Sequence, residues 1–358
     1  MSWPKNNMEE ITFGKLKISK DSLTLLIAEI ADSHNGKVET AKKMIKEIKQ
    51  AGANVAKFQL HLPDVEMVPG SIQMWDGPLY DILKKNLFTP EMHREIMAYC
   101  EEIGLEYLCT PFCPAAVDIL DEMGVKAFKT GSGELTNLPL QRKIAKISAK
   151  TGKPAIVSTG MSKWEEIAET VKVYEEEGAK SNLILMNCTS EYPPNDYSHA
   201  NLGLIPRFRE EFGVWVGQSD HTVDNYTAYA AVALGAKVIE KHFTLDRNQK
   251  GPDHAISLEP AMLKELVEGI RKIEVGSGAE RRVSKEEQVV RDWAYHSVVA
   301  AKNIKAGEIL SLDNLMPKRP GSGIEAKYLD PLYSDKLLGK RAKNDLPKDT
   351  ILKWEDVE

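Results

Sequence analysis

Eight short apolar runs, rich in β-branched residues, recur along this chain and alternate with charged, amphipathic stretches. They are TLLIAEI (24–30), VAKFQL (55–60), LEYLCTPF (105–112), KAFKTGS (126–132), PAIVST (154–159), LILMNC (183–188), VWVGQSD (214–220) and KVIEKHF (237–243). Runs of this length joined by helical patterns are the signature of successive βα units around a parallel sheet. Eight of them predict a (β/α)8 TIM barrel over 1–280. A doubly wound open sheet would show fewer strands and a glycine-rich dinucleotide turn, and that turn is missing.

The intervening stretches support this reading. In TAKKMIKEIKQAGA, Met44, Ile45 and Ile48 fall at helical spacing and Gly52 stands where a helix should end. One connection is longer: 64–89 carries Pro69, Gly70, Gly77 and Pro78 and is expected to be a long loop beside the active face. After the last helical pattern, 281–296 is glycine-flanked and charged and is expected to be a linker. Over 297–358 the pattern changes to short strands and turns, which predicts a small, separate β-rich domain.

Composition narrows the class. With 42% hydrophobic and 28% charged residues the chain matches ordinary globular usage. No apolar run approaches the roughly 20 residues of a membrane helix, and the first twenty residues lack an apolar signal core, so a cytoplasmic location away from membranes is expected. Cys100, Cys109, Cys113 and Cys188 form no Cys-x-x-Cys pair and are expected as buried thiols. A net charge of −6 offers no basic field for nucleic acid, so an anionic ligand needs a local cluster of donors.

Chemistry in such a barrel sits at the carboxyl ends of the strands. Read in order, those ends supply Glu29, Lys57 with Gln59, Thr110, Lys129 with Ser132 and Glu134, Ser158 with Thr159, Asn187, Ser219 with Asp220 and His221, and Glu240 with His242. Alternate residues share a face, so Ser219 points with His221 and Glu240 with His242, and neighbouring strands bring two imidazoles side by side. Two neutral imidazoles with open positions suit a divalent metal acting on a carbonyl oxygen. Lys57 and Lys129, inside apolar strands, must pair or bind an anion. KTGSGE and VSTGMS bring backbone N–H groups and hydroxyls to consecutive strand ends as a phosphate and carboxylate cradle. Glu29 and Glu134 lie where a proton acceptor or charge stabiliser would act. His34 and His254 are candidate substrate contacts; His61, His93, His199 and His296 are expected on the surface or in loops.

The strings AEIADSHNG, AKFQ, CTPF, FKTGSGE, VSTGM, CTSEYP, GQSDHT, EKHFT, GPDHAISLEP and KRPGSG closely resemble the sialic acid synthases, including the synthases of legionaminic and pseudaminic acid, from about Thr24 to the C-terminus. The resemblance implies a barrel followed by an antifreeze-like (β-clip) domain, in a domain-swapped homodimer where each small domain covers the partner's site. It implies manganese, or magnesium or cobalt, on His221 and His242. It also implies that Lys57, Thr110, Lys129, Ser132, Ser158, Ser219 and His221 hold phosphoenolpyruvate, and that Glu29, Glu134, Tyr192, Asp253 and Arg319 of the second subunit surround an N-acylated amino sugar. Where some relatives have asparagine, this chain has Ser190, which puts that contact in question.

The implied reaction joins phosphoenolpyruvate to the sugar aldehyde, with C–O cleavage and release of phosphate. Glu29, Glu134, Lys57 and Lys129 are its candidate catalytic residues. A Schiff-base pyruvate aldolase using Lys57 or Lys129, and a non-catalytic binding protein, are the rival readings.

Overall fold

The computed structural model describes residues 8–74, 77–251 and 253–358, and these divide into two compact units at Gly278/Ala279. The first unit holds eight parallel strands: β1 (Leu25–Glu29), β2 (Val55–Leu60), β3 (Glu106–Pro111), β4 (Phe128–Thr130), β5 (Ala155–Ser158), β6 (Leu183–Cys188), β7 (Trp215–Asp220) and β8 (Val238–His242). They pair in sequence order, β8 closes back on β1, and β3 and β4 pack side by side at the remaining seam. A ring in sequence order with helical crossovers is the (β/α)8 barrel, and the doubly wound alternative is excluded.

Side-chain alternation sorts these strands into two layers. On β2, Ala56, Phe58 and Leu60 face outward into a continuous apolar layer with the helices, where Met44, Ile45 and Ile48 of the helix Val38–Ala51 also pack. That helix ends at Gly52, whose φ of 89° only glycine adopts without strain. The inward-facing residues nearer the strand starts, among them Ile27, Val55, Leu108, Ile156, Met186 and Val238, form a second cluster. Ile11, Phe13 and Ile18 join it from an antiparallel hairpin, Ile11–Phe13 with Leu16–Ile18, so the amino end of the barrel is an apolar plug.

Four expectations change. The connection 64–89 contains an eight-residue helix, Leu79–Asn86, besides a short turn of helix at Pro63–Glu66; Trp75 and Asp76 lie outside the described residues. The stretch 281–296, expected as a linker, holds a helix, Lys285–Ala294, started by a reciprocal Ser284–Glu287 cap. His93 is wholly buried and bonds the Tyr107 hydroxyl at 2.8 Å. His61 is buried too, stacked on Phe112 with its nitrogens on Glu66 and Gln59. His61, with both nitrogens satisfied, tolerates burial, which composition cannot reveal.

The second unit contains an antiparallel pair, Ser297–Ala300 with Leu315–Lys318, further single bridges such as Val299 to Ile351, and its own core around Val298, Leu310, Leu337 and Leu352. Among the described residues, no helix is long and apolar enough to cross a membrane.

Candidate active site

Strand register decides which polar side chains meet at the carboxyl rim. Glu29 lies opposite Lys57 on one side and His242 on the other, and Ser219 lies opposite Glu240. The Lys57 ammonium pairs with Glu29, sits 3.0 Å from Glu240 Oε1, and reaches the Thr110 hydroxyl at 3.4 Å. Lys129 is 3.6 Å from the same Glu240 oxygen and donates to Ser158 Oγ at 2.7 Å and to the Thr130 carbonyl at 3.0 Å. The Ser219 hydroxyl donates to Glu240 Oε1 at 3.3 Å. Glu240 therefore bridges both lysines. It was read as a rim residue but given no role, although its place two residues before His242 put it on the same inward face.

Burial and pairing set the charges here. Burial would neutralise Glu240, but the ammoniums of Lys129 and Lys57 outweigh it and hold its carboxyl down at about 2. Burial also works against the Lys57 charge, and Glu240 and Glu29 reverse that, raising its pKa. For Lys129 burial prevails over Glu240 and lowers it. Burial raises Glu29 despite Lys57, and raises Glu134 despite Lys129.

The cradle on the next loops is built by close approach. Glu134 ends the turn Ser132–Glu134 after β4, and the Ser132 hydroxyl accepts from the Gly160 N–H at 3.0 Å. A Cβ on Gly160 would meet the Ser190 hydroxyl and lie 2.7 Å from Ser132 Oγ, so only glycine lets these loops approach. Ser190 thus stands in the cradle wall, though it was left out of the expected contacts.

His221 and His242 face each other with ring centroids 5.3 Å apart. Tyr192, 53% exposed, stacks on His221 at 4.2 Å and meets His242 edge-on at 6.0 Å. His221 Nδ1 bonds the Thr189 carbonyl at 2.7 Å, which fixes the proton on Nδ1 and leaves Nε2 as a lone-pair donor. Burial, with His221 adding to it, pushes the His242 pKa far below its ordinary range and keeps the ring neutral, and among the described residues its buried Nδ1 has no partner. Such a pair fits a divalent ion with open positions. Among the described residues no group of three or more His, Cys, Asp or Glu converges for a metal, so water or substrate oxygens would complete the shell.

Asp253 lies in the loop after β8; burial, then Asp32 and Glu29, push its carboxyl up to about 7. Arg319 belongs to the second unit, where its guanidinium lies 5.7 Å over the Trp293 ring. Histidines 34 and 254 are buried and internally bonded: His34 stacks on Phe88 at 3.8 Å and its Nδ1 accepts from the Gly36 N–H, while His254 Nδ1 meets the Thr244 hydroxyl at 2.7 Å.

A closed barrel that gathers lysines, carboxylates and imidazoles at its carboxyl rim has the build of a (β/α)8 enzyme. More narrowly, the chain belongs to the NeuB family, which its residues 44–282 match, while 295–358 match the SAF, or antifreeze-like, domain. It is a transferase of the synthase type. The N,N'-diacetyllegionaminic acid synthase of Campylobacter jejuni is 39% identical over 92% of this chain and 99% of its own length. The N-acetylneuraminate-9-phosphate synthase of Mus musculus is 34% identical over 93% of this chain and 92% of its own. Among solved structures, the N-acetylneuraminic acid synthetase of Leptospira borgpetersenii in complex with citrate superposes with a TM-score of 0.70 at 29% identity, covering 79% of this chain and 96% of that one.

Proposed function

We propose that the enzyme condenses phosphoenolpyruvate with the open-chain aldehyde of an N-acylated amino sugar, giving a nine-carbon sugar acid and phosphate. The observation that carries this reading is the Lys57–Glu240–Lys129 bridge beside the two imidazoles: two buried ammoniums held at fixed separation await an anion with more than one charged end. Lys57, Lys129, Thr110, Ser132, Ser158, Ser219 and His221 are its contacts for phosphoenolpyruvate. The sugar lies against Glu29, Glu134, Tyr192 and Asp253, and in a homodimer Arg319 of a second copy completes that side. The relatives' names support an acceptor of this class.

Manganese, or magnesium or cobalt, held by His221 and His242 would supply Lewis-acid polarisation of the aldehyde oxygen. The chain's own groups do the rest. Lys57 and Lys129 orient the phosphoenolpyruvate so that its C3 forms a bond to the aldehyde carbon, whose oxygen becomes a hydroxyl on protonation. The positive charge left at C2 is faced by the carboxylates of Glu240 and Glu29. Glu134, lifted toward the working range of a base by burial, accepts the proton of the water that adds at C2. The C–O bond to phosphate then breaks, and C2 becomes the ketone.

The test is turnover in 18O-labelled water. Label is expected in the product at C2 and none in the released phosphate; label in the phosphate rejects C–O cleavage.

A further inference from the structure

Besides Asp220, which Lys241 pairs, the rim holds a carboxylate that the proposed chemistry does not use. Asp32 lies in the turn Ala31–His34 directly after β1 and is only 9% exposed, and among the described residues its side chain has no hydrogen-bond or ion-pair partner. A buried carboxylate without a partner is costly and is kept where something else supplies the donor. Its electrostatic neighbours are Asp253 from the loop after β8 and His61 from the loop after β2, the two strands that flank β1 in the barrel. Glu29, though paired with Lys57, also acts electrostatically on Asp253, so Asp253 and Asp32 make an acidic wall on the acceptor side next to that pair. Lys57 pairs with Glu29 and with Glu240, and Lys129 with Glu240, so among the described residues neither ammonium forms an ion pair with Asp32 or Asp253. Arg247, from the same loop as Asp253, is committed to the Ala255 carbonyl.

Resting on the condensation above, we infer that Asp32, together with Asp253, is a specificity-determining residue that selects an uncharged acceptor sugar presenting O–H or N–H donors and rejects one carrying a phosphate. Three carbons from phosphoenolpyruvate make C6 of a hexose C9 of the product, so a 9-phosphate product requires a 6-phosphate acceptor. Relatives include synthases named for a free acid and for a 9-phosphate. At Asp32 and Asp253 an acidic wall favours donors and repels a dianion, whereas a phosphate held against these two groups would need cations or backbone N–H groups in their place.

The experiment measures phosphate release from phosphoenolpyruvate with N-acetylmannosamine, its 6-phosphate and a 2,4-diacetamido-2,4,6-trideoxyhexose, for the unmodified enzyme, Asp32→Asn and Asp32→Ser, with thermal melting of each. The unmodified enzyme is expected to prefer a neutral acceptor over the 6-phosphate by about tenfold or more in kcat/KM. Losing a hydrogen bond to a charged group should lower kcat/KM for the neutral acceptor roughly ten- to a hundredfold. The 6-phosphate should lose less, narrowing the preference, and the KM for phosphoenolpyruvate should hold. Because the carboxylate is unpartnered, both variants should melt no lower than the parent. Preference for the 6-phosphate, an unchanged ratio between acceptors, or a fall in melting temperature with a parallel rise in the KM for phosphoenolpyruvate overturns the assignment. Absence of phosphate release with every acceptor rejects the condensation itself.

Discussion

The two ends of the barrel interior are built from the same strand faces, two residues apart, and do opposite work. Ile27 precedes Glu29, Val55 precedes Lys57, Leu108 precedes Thr110, Ile156 precedes Ser158 and Val238 precedes Glu240. The earlier members close into a dry cluster capped by the amino-terminal hairpin, whose contribution is non-directional burial. The later members face one another as charges and hydroxyls, where each partner's identity and register matter. One pleat step therefore separates a layer that stabilises the fold from a layer that spends stability on chemistry.

That contrast can be broken from either side. The largest effect is expected at Lys129→Met, which preserves length and apolar packing but removes an ammonium from the Glu240 bridge; activity should fall by roughly 10³-fold while the protein stays folded. Steady-state phosphate release with parallel melting checks this, and retained turnover would show that the bridge is structural. One layer down, Ile156→Ala should cost about 2–5 kcal/mol of unfolding free energy in urea titration and leave the KM for phosphoenolpyruvate unchanged. A large change in KM with little loss of stability would erase the distinction between the layers.

The smallest effect separates two carboxyls within the rim. Glu240, held down at about 2, contributes stability that is present above its ordinary 4.5 and is lost only as pH falls through 2. Asp253 has the opposite sign. Its carboxyl is raised from 3.8 to about 7, so its protonated form is favoured on folding; that stability is full below 3.8 and is lost as pH rises through 7. Asp253→Asn, which stays neutral, should gain on the parent as pH climbs from 4 to 8 and show no advantage at the acid end, as read from urea midpoints. An advantage independent of pH would remove Asp253 from the acidic wall.

Much of the site is legible in the sequence because period-two alternation is a local property. Once TLLIAEI and KVIEKHF are strands, Glu29, Glu240 and His242 share an inward face. The burial of His61 and His93 was misjudged because it depends on partners distant in sequence or brought round by a turn, Tyr107 on β3, Phe112 after it and Glu66 in the following turn. The helix Lys285–Ala294 was hidden by charge: Val289, Val290 and Trp293 are its only large apolar residues among many charged ones, a stripe too short to stand out, and none of its residues is buried.

By itself, then, the amino-acid order determined the number of strands, their direction of travel around a ring and the residues presented at its mouth, since steric alternation and helical spacing act between near neighbours. Only the closed tertiary structure decided that Glu240 stands between two lysines and that Asp32, near enough to Asp253 to act on its charge, has no hydrogen-bond or ion-pair partner among the described residues. Both follow from which strands are hydrogen-bonded and in what register, and that is set by closure of the whole barrel.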